Sequence, residues 1–163
     1  MILNENLDVN GVDGTVRRAF LHRPEKILLK PPARLYKWTN RRALAERDLS
    51  PWWSFAETTP LPSGAIAEGF RIAEERAHRL QRSHREFARS RAAISDRFGN
   101  TMQHLIVVQL TTPAWGLAGQ ASGQPEFAEA RGDLGHVFLI GGAYQVWIPN
   151  LTRRHVQEVP TLG

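Results

Sequence analysis

The chain has no cysteine among its 163 residues. Disulfides, thiolate nucleophiles and cysteine-ligated zinc are therefore excluded. Lysine is nearly as scarce: of 21 basic residues only Lys26, Lys30 and Lys37 are lysines, and arginine supplies the rest. No stretch approaches the roughly 18 consecutive apolar residues of a membrane span, so no membrane association is expected. Met1 to Asp13 carries Asn, Asp and Glu where a secretory signal needs basic residues and an apolar run, so no such signal is expected. Gly-x-Gly-x-x-Gly, the Walker phosphate loop and the Gly-x-Ser-x-Gly elbow are also missing, which removes dinucleotide-fold dehydrogenases, P-loop enzymes and standard serine hydrolases. The six histidines never form a His-x-x-x-His pair, and no metal site is expected.

What is present suits one globular domain. Hydrophobic residues make up 42% and charged residues 23%, too apolar for a disordered chain. The formal charge of +5 favours an anionic partner such as nucleic acid, a nucleotide pyrophosphate or an acidic protein surface. Because eight of the 18 arginines fall on one helical pattern among glutamates, a solvated helix face explains much of that excess.

Residues 1–30 read as an N-terminal arm with at most a short helix near Val16 to Leu21, and residues 31–163 as the core. After Pro31-Pro32, the run Ala33 to Thr39 alternates apolar and polar residues as a strand does. Asn40 to Asp48 has room for one or two helical turns, and Ser50 to Phe55 reads as a short extended segment. From Ser63, a candidate N-cap, apolar residues recur every three or four positions through Ile66, Phe70, Ala77, Leu80 and Phe87. That pattern predicts one long amphipathic helix ending before Gly99-Asn100. Leu105 to Leu110 is the strongest strand and should lie centrally. Gly116 to Gly135, rich in Gly, Ala, Ser and Gln, predicts an exposed loop. Val137 to Ile140 and Tyr144 to Pro149 predict two strands joined at Gly141-Gly142, with His155 to Val159 as a final edge strand. The expected class is α+β.

The order of these segments resembles the ADP-ribosyltransferase toxin pattern over roughly Ala33 to Val159. In that family an aromatic-arginine pair on the first strand precedes a serine motif on a second, and a glutamate precedes an apolar strand. Here Leu35-Tyr36-Lys37, Ser50-Pro51-Trp52-Trp53-Ser54 and Gln145-Val146-Trp147-Ile148-Pro149 stand in those places. The resemblance implies split β-sheets with one long helix, and a bacterial NAD-consuming toxin, either a transferase or an NAD glycohydrolase.

Carried over position by position, Lys37 falls at the arginine, Ser54 or Ser50 at the serine motif, and Gln145 at the catalytic glutamate. Lysine lacks the planar fork of arginine, so Arg34 or Arg23 is a second candidate for the pyrophosphate. Tyr36 and Trp53 are the candidate faces for the nicotinamide. Glutamine accepts a ribose hydroxyl but carries no negative charge, and Gly141-Gly142-Ala143-Tyr144-Gln145 resembles the Gly-rich turn and glutamine of certain NAD-glycohydrolase toxins. The expected site is therefore Gln145 and Ser54 for catalysis, with Arg34, Tyr36, Lys37 and Trp53 binding NAD as substrate.

The resemblance further implies specialised export from a bacterial cytoplasm, action in a target-cell cytoplasm, a macromolecular acceptor if transfer occurs, and a cognate immunity protein. Two other classes compete: a nucleic-acid-targeting toxin using histidines as acid and base, and a non-catalytic interaction domain. Each tryptophan also has a plain role as core filling.

Overall fold

The computed structural model describes residues 1–39, 49–79, 104–122, 124–127, 136–139 and 143–160. Its architecture is α+β and rests on a seven-stranded antiparallel sheet. Seven strands build it: β1 (Glu25–Leu29), β2 (Arg34–Thr39), β3 (Trp52–Phe55), β6 (His104–Leu110), β7 (Ala114–Gln120), β10 (Tyr144–Trp147) and β11 (Val156–Val159). Their order across the sheet is β1-β7-β10-β3-β2-β6-β11. Two small hairpins complete the strands: β4 (Thr59–Pro60) with β5 (Ile66–Ala67), and β8 (Gln124–Phe127) with β9 (His136–Leu139). Among the described residues the α-helices are α1 (Gly14–Arg18) and α2 (Phe70–Arg79). No described helix is long and apolar enough to cross a membrane.

The sheet parts in its middle. β2 and β3 pair only through Leu35 with Phe55 and Tyr36 with Ser54. Beyond that point β2 continues along β6, where Lys37, Trp38 and Thr39 face Ile106, Leu105 and His104. β3 instead continues along β10, with Trp53 against Val146 and Trp52 against Trp147. Side chains alternate across a strand, so Leu35, Phe55, Val108, Ala118 and Val146 share the face that forms the main core. Leu35, Val108, Leu110, Leu117, Val146, Ile148 and Leu151 are fully buried. Tyr36, Val107 and Ala56 form a second cluster, against which Phe70 of α2 packs.

Several expectations change. The N-terminal residues are not an arm: β1 is hydrogen-bonded along β7, and Phe20, Ile27 and Leu29 are buried. The apolar Ile27-Leu28-Leu29 run is the sequence feature behind that strand. The long helix does not start at Ser63. Its backbone N–H and hydroxyl instead donate to the Glu25 carboxylate at 2.6 Å each, and Ile66-Ala67 is a strand.

The helix begins where Gly69 brings the chain against residues 56–58. A Cβ at that position would lie 2.6 Å from the Ala56 oxygen, and the Phe70 N–H donates to the same oxygen at 2.9 Å. Residues 80–103, which include the rest of the expected helix, lie outside the described residues, as do 40–48.

Half of the expected loop from Gly116 is strand. β7 inserts Gly116 and Gly119 under its neighbours, where a Cβ would stand 2.9 Å from the Val146 side chain and 3.0 Å from the Phe20 ring. Small residues there serve close packing, not exposure. Gln124–Phe127 is β8, and residues 128–135 lie outside the described residues. β9 pairs with β8, and β10 with β7 and β3, so the two do not form a hairpin together. Leu105 to Leu110, expected at the centre, is instead the sixth of the seven strands, between β2 and β11, and β11 is an edge as expected.

Candidate functional site

The three segments that carry the sequence resemblance lie on β10, β3 and β2, which are consecutive neighbours in the sheet. Long stretches of chain separate them, so only the sheet order joins them. Strand alternation then divides their residues between two faces. Tyr36 and Ser54 are direct cross-strand partners, and their side chains hydrogen-bond. Register puts Trp52, Trp147 and Gln145 on that same face, one strand further on. Lys37 and Trp53 point to the other face, together with Val146 and Ile106.

Lys37 sits where the sheet parts, and its Nζ lies 4.4 Å from the centre of the Trp53 ring. That contact bridges the two halves of the sheet, because Lys37 and Trp53 lie just past the last β2–β3 pair. Burial strips water from the ammonium and lowers its pKa to about 8. The indole ring returns some of the lost stabilisation through its negative face. Trp53 is itself buried, and its Nε1–H has no hydrogen-bond partner among the described residues. The Lys37 ammonium therefore lies over the face of a ring whose own donor has no acceptor among the described residues.

Tyr36 is buried beneath Phe70, with ring centres 5.0 Å apart and nearly perpendicular. Burial pushes its phenol up to about 12, against the opposing effect of the Ser54 hydrogen bond. At neutral pH it is a neutral donor and acceptor. With its ring covered by Phe70, it is a poor candidate for stacking on nicotinamide.

Gln145 is partly buried, and its Nε2 donates to the Ala19 carbonyl at 3.0 Å. That carbonyl also accepts from the Ser122 N–H, at the C-terminal end of α1. The glutamine thus ties the N-terminal helix to the sheet, a structural task that the sequence reading did not give it. Its Oε1 remains as an acceptor. Trp52 lies between Phe20, at 5.5 Å, and Trp147, at 6.4 Å, so this face is an aromatic wall.

Arg34 is not beside Lys37. It is ion-paired with Glu57, whose carboxylate also accepts from the Arg34 backbone N–H. Arg23 is exposed, as is Ser50. Among the described residues no three of His, Asp and Glu gather into a metal site.

A separate groove of about 1050 Å³ runs between β1, the start of β2 and the β4–β5 hairpin. Lys26, Lys30, Arg34 and Glu57 are its charged lining, among Leu28, Pro32, Pro60 and Pro62. Nothing in the sequence pattern pointed to it, because it depends on which strand ends the sheet. No protein-family profile matches the chain, and no curated protein does either.

Proposed function

We propose that this chain is an NAD-consuming enzyme with a split sheet of the ADP-ribosyltransferase kind, which cleaves the nicotinamide–ribose bond. The observation that carries the reading is the parting of the sheet at the Tyr36–Ser54 pair, with Lys37 and Trp53 at its mouth. A dinucleotide needs a cation for its pyrophosphate, a flat surface for a ring and an acceptor near the ribose. Lys37 offers the cation on one face of the sheet, and Trp52 with the Oε1 of Gln145 offers the ring surface and the acceptor on the other, so in this reading the dinucleotide passes through the parting between β2 and β3.

In this reading Lys37 donates to phosphate oxygens from its place over the Trp53 ring. Ser54 holds Tyr36 in place, and Gln145 accepts from a ribose hydroxyl as the sugar becomes an oxocarbenium-like cation. Because Gln145 carries no charge, hydrolysis by water is favoured over activation of a protein acceptor. Arg34, bound to Glu57, has no part in the site.

The test is incubation with NAD while free nicotinamide is measured. Turnover is expected, and Lys37→Ala should raise KM more than it lowers kcat. The Lys37 ammonium loses its proton above about pH 8, so KM should rise there in the native enzyme but not in Lys37→Ala. Absence of both turnover and NAD affinity would overturn the proposal in favour of an interaction domain.

A further inference from the structure

Among the described residues, no strand pairs with the outer edge of β1. The Trp115 N–H of β7 donates to Leu3, and the Asn4 side chain donates to the Trp115 carbonyl, so the backbone of residue 115 points away from β1. Antiparallel ladders alternate, so Glu25, Ile27 and Leu29 bond to β7, opposite Ala118, Gly116 and Ala114. The N–H and C=O groups of Lys26 and Leu28 consequently face outward. Neither residue has a backbone hydrogen bond to any other described element. Such an edge is a template for another strand.

The surroundings favour one kind of strand. The groove described above lies along this edge, and three cations line it against one acid, Glu57, which is already paired with Arg34. The neighbouring Glu25 carboxylate is taken up by Ser63. Lys26 stands 4.7 Å from the Trp115 ring centre and donates to the Glu5 carbonyl at 3.5 Å, and Lys30 is exposed with no acidic partner among the described residues. Pro32, Pro60 and Pro62 supply apolar walls without backbone donors of their own.

We propose that β1 is a docking edge for an extended acidic segment of a partner protein, added as an eighth strand of the sheet. Its backbone bonds to Lys26 and Leu28, its acidic side chains meet Lys26 and Lys30, and its apolar side chains lie along the proline-walled groove. This is strand addition, in which the main chain supplies affinity and alternate side chains supply selectivity. A second copy of the chain is a poorer occupant, because antiparallel β1–β1 pairing would bring Lys26 and Lys30 against their own counterparts. The docking edge is independent of the NAD reading, since it uses none of Lys37, Trp53, Ser54 or Gln145.

The experiment is fluorescence anisotropy of the full chain with a labelled peptide of about eight residues that alternates valine and glutamate. Saturable binding is expected, weakening as salt rises. N-methylation of the peptide amides that would face β1 should weaken it about tenfold or more, as should the double variant Lys26→Glu, Lys30→Glu. Circular dichroism of that variant verifies its fold, and the methylated peptide needs no variant at all. No saturable binding at millimolar peptide, or equal binding of the methylated peptide, overturns the proposal. A concentration-dependent dimer in sedimentation that Leu28→Pro abolishes would overturn it in favour of a second copy.

Discussion

Lys37 holds a half-buried cation against the Trp53 ring at a cost in stability. Its pKa is lowered to about 8 by burial, below the ordinary 10.5. The folded state therefore binds fewer protons than the unfolded state between those values, and stability rises with pH across that window. Below about pH 8 the full penalty is present, up to about 3 kcal/mol. Tyr36 acts in the opposite sense, higher up. Its pKa is raised to about 12, so between about pH 10 and 12 the unfolded phenol ionises first and stability falls.

Urea unfolding across this range should therefore show a maximum near pH 10. Lys37→Met should be more stable than the native chain at pH 7, by about 1–3 kcal/mol, and should lose the rise above pH 8. An unchanged profile in Lys37→Met would mean that the ammonium is solvated. Trp53→Phe keeps a ring under Lys37 but removes the orphaned Nε1–H. We expect it to cost less than about 1 kcal/mol without ligand, because the lost packing is offset by removal of an unsatisfied donor. Gln145→Ala breaks the bond to the Ala19 carbonyl, so it should cost about 1 kcal/mol of stability as well as about tenfold in turnover. Thermal melts beside NAD assays separate the two effects.

At the scale of elements, the close contacts that position α2 and β7 are made by glycines. Gly69 admits α2 against residues 56–58, and the Thr58 hydroxyl accepts its N–H at 3.1 Å. A methyl there meets backbone, which cannot swing aside as a side chain can. Gly69→Ala should therefore destabilise by about 2–4 kcal/mol and free Phe70 from Tyr36, seen as a lower Tm and changed near-ultraviolet circular dichroism. A substitution that left both signals intact would show that the helix start adjusts. These glycines also explain where sequence patterns failed. Gly116, Ala118 and Gly119 look like loop composition, yet β7 lies between two strands and beneath Phe20. Ser63 had the chemistry of a helix cap, but the Glu25 carboxylate, distant in sequence, took its hydroxyl and N–H.

For the whole molecule, the sheet ties the two ends of the chain together. β1 pairs with β7, while Asn4 reaches the Pro149 carbonyl at 2.7 Å and the Asn150 side chain at 3.1 Å. Removing residues 1–30 should therefore abolish the cooperative thermal transition, not trim an appendage. It would expose Leu117 and Val146, which are fully buried, and take Phe20, Ile27 and Leu29 from the core. A truncated chain that melts cooperatively near the native temperature would contradict this. Because β1, β7, β10 and β3 come from distant parts of the chain, the sheet completes only after long-range pairing, and slow folding is expected.

Local chemistry was enough to determine part of this protein. The alternation in Arg34–Thr39, the aliphatic run in Leu105–Leu110 and the short segments at Trp52 and Tyr144 all became strands, because each carries its own periodicity. The absence of cysteine excludes thiol chemistry in any fold. Tertiary structure decided the rest. Sheet order set β10, β3 and β2 side by side, and the two-residue pairing of β2 with β3 opened the sheet where Lys37 meets Trp53. Alternation across those strands sent Lys37 and Trp53 to one face and Tyr36, Ser54 and Gln145 to the other, a division that depends on register. Register is a relation between strands, so no local pattern in one of them contains it.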